Sequence, residues 1–147
     1  MDAVKVCGLT RVADAVLAAD LGASAIGCVF WDKSPRFVVP SVAARIRASL
    51  PSHVGMVGVF VNASRAWIEE VRSEVGLNGV QLHGDETQEF CESLSGDVIR
   101  AVTLENENDL KQMRDSIHIG RKILSQNKLE KHAEYYTHMT LQKSDLV

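Results

Sequence analysis

Two hydrophobic patterns alternate along the first 116 residues of the chain. One is a short apolar run rich in valine and other β-branched residues, which is typical of a strand covered on both faces of a sheet. The other is longer and places apolar residues three or four positions apart, which is typical of an amphipathic helix. These patterns predict five strands, at residues 3–9, 25–30, 55–61, 79–83 and 98–104.

A helix is predicted after each strand, and local signals indicate where these helices begin and end. Serine, threonine and aspartate side chains can accept a hydrogen bond from the first helical N–H groups, and glycine readily ends a helix. A fifth helix is predicted at residues 108–117. The other predicted starts are Thr10, Ser41 after Pro40, Ser64, and a capping box of Asp85 with Gln88, and the predicted ends are Gly22, Pro51 and Gly76.

Strict alternation of strand and helix predicts right-handed crossovers and a parallel sheet. A doubly wound dinucleotide fold would place G-x-G-x-x-G at the first strand–helix turn, but that turn reads Cys7-Gly8-Leu9-Thr10. A (β/α)₈ TIM barrel needs no such motif and carries its chemistry just after each strand. We therefore predict an α/β fold in which residues 1–116 form about five units of an incomplete parallel (β/α)₈ barrel.

Residues 117–147 differ from the units before them. They carry five Lys/Arg and three Asp/Glu, and they contain no glycine after Gly120, so the turn signals of the earlier units are missing. The strand-like fragment is short, at residues 122–124, and residues 125–138 have only a thin apolar stripe. We predict a divergent C-terminal tail, helical or disordered, rather than further barrel units.

Composition narrows the class of protein. Of 147 residues 46% are hydrophobic and 24% charged, as in ordinary globular proteins, and the net charge of −3 lacks the basic patch of a nucleic-acid binder. No apolar run reaches the length of a membrane span, and no secretory signal begins the chain. Three cysteines without a C-x-x-C pair argue against a disulfide framework or a cysteine zinc site. We expect a cytoplasmic protein that binds neither nucleic acid nor membrane.

Polar residues within or just after the predicted strands are the candidates for chemistry, because the active site of a barrel lies at the carboxyl ends of its strands. Lys5 and Cys7 share one face of strand 1, and Gln81 and His83 share one face of strand 4. A nearby cation favours the reactive thiolate form of cysteine, so Lys5 makes Cys7 a candidate reactive residue.

The loop after strand 2, at residues 31–37, is cationic and contains Lys33 and Arg36. Arginine can grip a carboxylate through two parallel hydrogen bonds, which predicts a small anionic ligand. Purely structural roles stay open for these residues. Cys7 could be a small buried side chain, His83 could form hydrogen bonds within a loop, and Lys33 and Arg36 could belong to a solvated loop. Cys28 and Cys91 lie in apolar surroundings and are predicted to belong to the core.

Five motifs resemble, in order and spacing, phosphoribosylanthranilate isomerase, a (β/α)₈ enzyme of tryptophan biosynthesis. The resemblance runs from Lys5 to about Leu104, roughly two thirds of the chain. The motifs are KVCGLTR at residues 5–11, GASAIG at 22–27, KSPRFV at 33–38, VGVFVN at 57–62 and VQLHGDE at 80–86.

The resemblance implies an Amadori rearrangement of N-(5-phosphoribosyl)anthranilate to 1-(2-carboxyphenylamino)-1-deoxyribulose 5-phosphate, without cofactor or metal. A general acid protonates the furanose ring oxygen, the ring opens to a Schiff base, and a general base removes the C2 proton. By position Cys7 resembles the general base, Arg36 the residue that helps to hold the anthranilate carboxylate, and Gln81 and His83 residues that line the mouth of the site.

Two departures from the family follow residue 116. The family's general acid is an aspartate after strand 6, but the matching stretch reads Leu124-Ser125-Gln126-Asn127, and no glycine-rich phosphate-binding turns are found. Alternatives to an active isomerase are therefore a truncated or frameshifted, inactive relative and a half-barrel interaction module. Open strand edges would also predict self-association.

Overall fold

The computed structural model describes residues 4–101 and 108. Five strands alternate with four helices in this part of the chain. The strands are β1 (Lys5–Cys7), β2 (Ala25–Val29), β3 (Gly55–Phe60), β4 (Gly79–Leu82) and β5 (Asp97–Arg100). The helices are α1 (Val12–Asp20), α2 (Pro40–Ser49), α3 (Arg65–Val75) and α4 (Gln88–Ser93).

Several predictions fall outside the described residues. They are the helix at residues 108–117, of which only residue 108 is described, the domain boundary after residue 116, and the whole tail at residues 117–147. The last residues of the predicted fifth strand, beyond residue 101, also lie outside.

The strands form one parallel sheet in the order β1-β2-β3-β4-β5. Each strand therefore lies next to the one before it in sequence, and the order does not reverse as it does in a doubly wound sheet. Sequential parallel neighbours joined by helices are the arrangement of a barrel wall. The predicted α/β class and the partial parallel barrel are confirmed, with five strands and four of the five predicted helices among the described residues.

The helix-covered face of the sheet holds the main hydrophobic core. Side chains alternate along a strand, and every second residue of the central strands enters this core with the inner faces of α1, α2 and α3. Its fully buried strand residues are Ile26, Cys28, Met56, Phe60, Val80 and Leu82, and its fully buried helix residues are Ala15, Ala43, Ile46, Ile68 and Val71.

The opposite face of the sheet is lined differently. Val29, Val57 and Val59 are buried there outside the main cluster, and they share this face with the polar Gln81. Lys5 and Cys7 lie on the same face of β1, since Gly27, the register partner of Cys7, directs its Cα hydrogen toward the Cys7 sulfur. The candidate residues therefore line the face that forms the interior of a barrel.

The ends of α3 are as predicted. The Ser64 hydroxyl accepts a hydrogen bond from the Trp67 N–H (3.2 Å), which satisfies one of the free donors at the helix start. Gly76 ends the helix in the left-handed conformation, with φ of +76°. Both signals are local in sequence, and α3 follows them at both ends.

The predicted starts of α1 and α2 are wrong. The Gly8 and Leu9 N–H groups both donate to the Gly27 carbonyl (2.9 and 3.2 Å), which keeps the chain beside β2, and α1 begins later with extended Arg11 as its N-cap. Helix α2 begins at Pro40 itself, with Val39 as N-cap. Proline suits the first helical position because its φ is already helical and no N–H is left over.

The predicted capping box at the start of α4 is also wrong. The N-cap is Thr87, whose hydroxyl accepts from the Phe90 N–H (3.1 Å). The Asp85 N–H donates instead to the Asn62 side chain (2.8 Å), so this part of the loop is fastened to the loop after β3.

Within the described residues no helix is long and apolar enough to cross a membrane.

Candidate functional site

Cys7 is the last residue of β1, and a glycine beside it makes room for its side chain. Gly27 is its register partner on β2, and a Cβ atom at Gly27 would lie only 2.6 Å from the Cys7 sulfur. Real Cβ contacts are essentially never that short, so the sulfur occupies space that only a glycine leaves open. The thiol is half-buried and belongs to no disulfide.

Lys5 connects Cys7 with β4 across the interior face. Its ammonium group donates a hydrogen bond to the Gln81 side-chain oxygen, 76 residues away in sequence, and Lys5 lies two residues before Cys7 on the same face of β1. Burial lowers the pKa of Lys5, and the charge of Cys7 and its hydrogen bond act in the opposite direction. The structure thus brings together Lys5, Cys7 and Gln81.

Arg36 reaches the same strand end from the loop after β2. Its Nη1 donates to the Cys7 carbonyl oxygen (3.2 Å), and its guanidinium group lies directly against Gly8. Gly8 has a φ of +80°, a conformation that other residues rarely adopt, and any Cβ there would overlap the guanidinium group. A glycine is therefore required at position 8 both by the backbone and by Arg36.

The loop that carries Arg36 is fixed by its own hydrogen bonds. The Ser34 hydroxyl is buried and accepts from the Arg36 N–H (3.1 Å), and the Ser34 N–H donates to the Trp31 carbonyl (3.0 Å). A bridge between Val29 and Phe37 extends the sheet briefly into the loop. Lys33 is exposed in this loop, so the two predicted cations have different surroundings, and Arg36 alone lies against β1.

His83 follows β4 directly. Its N–H donates to the Phe60 carbonyl (2.9 Å), which continues the pairing of β3 and β4 by one residue, and its side chain is half-buried. Gln81, two residues earlier, is only 1% exposed. Gln81 therefore lies in the buried interior of the sheet, and His83 lies at the strand end.

A buried carboxylate that sequence reasoning did not single out ties two loops together. Glu86 is 6% exposed, and its two oxygens accept from the N–H groups of Asn62 (2.7 Å) and Gly84 (2.8 Å). Asn62 has a φ of +50°. The available signal was an asparagine directly after a strand, since asparagine is enriched in this left-handed region.

Comparison with known proteins decides the family. The family model of N-(5'-phosphoribosyl)anthranilate (PRA) isomerase matches residues 4–129 of this sequence. The chain belongs to the PRA isomerase family. The resemblance drawn from the five motifs is thereby confirmed.

Curated PRA isomerases match about three quarters of the chain. The chain is 47% identical over 109 residues to the N-(5'-phosphoribosyl)anthranilate isomerase of Nitrosospira multiformis, covering 74% of this chain and 52% of that protein. It is 46% identical over 111 residues to that of Thermotoga neapolitana, covering 74% and 54%. The chain spans about half the length of the curated relatives it matches.

Solved PRA isomerase structures have the same fold over the matched part. One, in complex with reduced 1-(o-carboxyphenylamino)-1-deoxyribulose 5-phosphate, is 44% identical with a TM-score of 0.76, covering 78% of this chain and 60% of that chain. The isomerase from Thermotoga maritima is 44% identical with a TM-score of 0.73, covering 78% and 57%.

The other two cysteines of this family member lie outside the Cys7 site. Cys28 is buried in the core, and its thiol donates to the Leu9 carbonyl (3.4 Å). Burial, together with the charge of Cys7, raises the pKa of Cys28 to about 12. Cys91 packs against the core half-buried, and burial raises its pKa. Both thiols are therefore disfavoured as thiolates, as their predicted place in the core implies.

Within residues 4–101 and 108, no three His, Cys, Asp or Glu side chains are grouped as metal ligands would be.

Proposed function

We propose that this chain carries the proton-abstracting side of an N-(5-phosphoribosyl)anthranilate isomerase active site, for a step of tryptophan biosynthesis. The observation that carries the proposal is the placement of the Cys7 sulfur at the end of β1, beside Gly27, with Arg36 hydrogen-bonded to the Cys7 carbonyl (3.2 Å). The substrate would be a small anion with a carboxylate and a phosphate group.

The chemistry assigned to Cys7 is proton removal from carbon. A proton from an acid joins the furanose ring oxygen as its bond to C1 breaks, and the anilino nitrogen forms a double bond to C1. Cys7 then takes the C2 proton. The C2–H electron pair forms the C1–C2 double bond, while the C1–N electrons return to nitrogen. The resulting enol gains a proton at C1 and loses its hydroxyl proton to become the ketone.

The position of the family's acid lies outside the described residues, and we assign no residue to that role. General acid or base catalysis by one group contributes about 10²–10⁴-fold to a rate. Removing Cys7 therefore predicts a large loss of turnover with little change in substrate binding.

Arg36 is the proposed anthranilate-binding residue. Its guanidinium group is held by the Cys7 carbonyl and by the fixed loop, so little motion is lost when a ligand binds. Its Nε is buried without a hydrogen-bond partner in the described part of the chain. An unsatisfied buried donor destabilises a protein, and a nearby carboxylate would offset part of that destabilisation.

Gln81 and His83 are proposed to line the substrate-facing interior on β4. Gln81 is buried beside Lys5, and His83 lies one residue past the strand. We expect Gln81 to act mainly through its neighbours and His83 to contact the ligand nearer the opening.

The test is a chimera that supplies a complete barrel. Residues 4–101 of this chain replace the corresponding segment of the Thermotoga neapolitana isomerase, and loss of substrate fluorescence measures turnover. We expect turnover in the chimera and a fall in kcat of at least about 100-fold for Cys7→Ala. Arg36→Lys should raise KM, because lysine keeps the positive charge but cannot donate two parallel hydrogen bonds to a carboxylate. A Cys7→Ala chimera as fast as its parent would contradict the proposal.

Location and association are further parts of this proposal. Three unpaired cysteines and a biosynthetic family support a reducing, cytoplasmic location. Strands β1 and β5 each have one neighbouring strand within the described residues, and free strand edges promote association. We expect the sedimentation coefficient of the full chain to rise with concentration, and a constant monomer value would contradict self-association.

A further inference from the structure

Two loops that follow neighbouring strands are fastened to each other by one buried side chain. Glu86 is 6% exposed, and its two carboxylate oxygens accept hydrogen bonds from the Asn62 N–H after β3 (2.7 Å) and from the Gly84 N–H after β4 (2.8 Å). These are the short distances of charge-assisted hydrogen bonds. Each oxygen of the carboxylate thus holds a different loop.

The Glu86 charge is compensated by backbone groups. A buried charge destabilises a protein unless it is paired or hydrogen-bonded. Within the described part of the chain Arg72 forms an ion pair with Glu69 on α3, and Glu86 forms none. A glutamine would offer a single acceptor oxygen to the two N–H donors. A carboxylate is therefore the side chain suited to join two N–H groups from different loops.

A glycine allows the two loops to come this close. A Cβ atom at Gly84 would lie 2.5 Å from Asn62 Oδ1 and 2.9 Å from the Asn62 backbone nitrogen, both shorter than real Cβ contacts. Asn62 Oδ1 also accepts a hydrogen bond from the Asp85 N–H (2.8 Å), and Asn62 has a φ of +50°, which few residues other than glycine adopt. These contacts join the loops independently of Glu86 and show that their close approach is a designed feature of this strand end.

His83 lies between the fastened groups. Its own N–H donates to the Phe60 carbonyl (2.9 Å), and the next N–H along the chain, that of Gly84, donates to Glu86 (2.8 Å). Hydrogen bonds therefore fix the peptide groups on both sides of His83. The direction of a side chain follows from the backbone that carries it, so the second of these hydrogen bonds makes the direction of the His83 imidazole depend on Glu86.

We propose that Glu86 is a positioning residue for substrate binding: by holding Asn62 and Gly84, it fixes the His83 imidazole at the carboxyl end of β4. The proposal rests on the proposed function, in which His83 lines the opening of the site, and it adds the group that keeps His83 there. Both Glu86 oxygens are engaged by backbone donors, so Glu86 contacts no substrate atom and transfers no proton.

The first test measures how firmly His83 is held in the full chain, without any need for turnover. Diethyl pyrocarbonate acylates accessible imidazoles, and peptide mass spectrometry separates the rate at half-buried His83 from that at His53, which is exposed before β3 at the opposite end of the sheet. We expect Glu86→Gln to raise the rate at His83 several-fold, because a loop that opens locally exposes its side chains. The rate at His53 should stay the same.

A second variant distinguishes the position of the imidazole from the charge beside it. Gly84→Ala leaves every charge in place, but its methyl group would overlap the Asn62 amide and force the loops apart. It should raise the rate at His83 as Glu86→Gln does. A rate at His83 that is unchanged in Glu86→Gln, or that rises there but not in Gly84→Ala, would overturn the proposal.

Each of these variants has a matched control. Glu70→Gln removes an exposed carboxylate from α3, and Gly55→Ala adds a methyl group that meets nothing closer than 3.7 Å. Neither should change the rate at His83. Iodoacetamide labelling of the buried Cys28 distinguishes opening of the loops from unfolding, because unfolding would raise the rates at Cys28 and His83 together.

The second test is a double-mutant cycle in the chimera. Glu86→Gln should raise KM about tenfold, within the roughly 100-fold that a 1 Å misplacement can cost. The value of kcat should change little, as expected when an interaction shared by the ground and transition states is lost. In a His83→Ala background, Glu86→Gln should add almost nothing, because residues that act through one another are not additive. An equally large effect in that background would show that Glu86 acts through other groups and would overturn the proposal.

The two proposals fail separately. Turnover in the chimera that does not depend on Cys7 would refute the proposed function, whereas His83 labelling in the full chain tests the fastening of the loops without any substrate. The kinetic effects also differ in kind, since Cys7→Ala should lower kcat and Glu86→Gln should raise KM.

Discussion

The two faces of the sheet use the same strands for opposite purposes. On the helix-covered face, residues such as Ile26, Met56 and Val80 are fully buried among apolar side chains. On the interior face, the Lys5 side chain reaches from β1 to the Gln81 amide on β4, and Cys7 lies on the same face of β1. The first face stabilises the fold through burial, and the second retains polar groups that are costly to bury.

Moving one position along a strand takes a side chain from the face that stabilises the fold to the face that carries the candidate site. Because side chains alternate along a strand, Gly58 faces the ring of Phe60 and Leu77 in the core, while the adjacent Val57 and Val59 face the interior. Substitutions on the helix-covered face should therefore change the free energy of unfolding first. Those on the interior face should change Cys7 reactivity first.

The largest expected effect is on the helix-covered face. Phe60→Ala removes a fully buried ring that stacks on Phe30 with centroids 5.3 Å apart. It should lower the free energy of unfolding by about 3–5 kcal/mol, measured by urea denaturation. Leu17→Ala, at a leucine that is 58% exposed, is the control and should change it by less than about 0.5 kcal/mol. Equal effects of the two would mean that this core is not the main source of stability.

The next effect concerns the loops at the strand ends. Glu86→Gln leaves one oxygen and one NH₂ group facing the Asn62 and Gly84 N–H donors. Loss of a hydrogen bond to a charged group predicts a destabilisation of about 1.5–3 kcal/mol, with faster amide exchange at Asn62 and Gly84. Glu70→Gln, at an exposed residue of α3, is the control. Unchanged exchange at both amides would contradict the role given to Glu86.

Two glycines on neighbouring strands, Gly27 and Gly55, test how the space around Cys7 is formed on the interior face. Gly27→Ala would place a Cβ 2.6 Å from the Cys7 sulfur, while Gly55→Ala on the next strand meets nothing closer than 3.7 Å. Overpacking should destabilise Gly27→Ala by about 1–3 kcal/mol and alter the rate of Cys7 alkylation. Gly55→Ala should leave that rate unchanged. If both variants alkylate at the original rate, Gly27 does not define the space around the thiol.

The smallest expected change in the free energy of unfolding distinguishes a helix start that was predicted correctly, in α3, from one that was not, in α2. Ser64→Ala removes the cap of α3 and should lower the free energy of unfolding by about 1 kcal/mol. Ser41→Ala changes a residue that lies inside α2 after its Pro40 start, so it should have almost no effect. Thermal melting of the two variants measures the difference, and an equal loss at Ser41 would restore the start predicted from sequence.

The sequence predicted what depends on neighbouring residues and missed what depends on distant ones. The five strands and the Ser64 and Gly76 ends of α3 follow from local pattern and are confirmed. The start of α1 depends on Gly27, 17 residues after Thr10, and could not be seen locally.

The candidate site shows the same limit. Alternation along the strands placed Lys5 with Cys7 and Gln81 with His83, but no local pattern could join β1 to β4. The Lys5–Gln81 contact and the Glu86 loop contacts appear only once the sheet has brought distant segments together. The role given to Glu86 at the site remains a prediction for the experiments above.

The strand order carries a consequence for how the chain folds. Paired residues on adjacent strands are only 18 to 30 residues apart, as in Gly79 with Asp97 and Ala25 with Gly55. Each strand–helix unit can therefore dock on its predecessor as it leaves the ribosome, at a similar loop-closure entropy each time. Lys5 and Gln81 are 76 residues apart. Their contact can form only after β4 has been added to the sheet. This part of the site is therefore assembled late, after β1, β2 and β3 have paired.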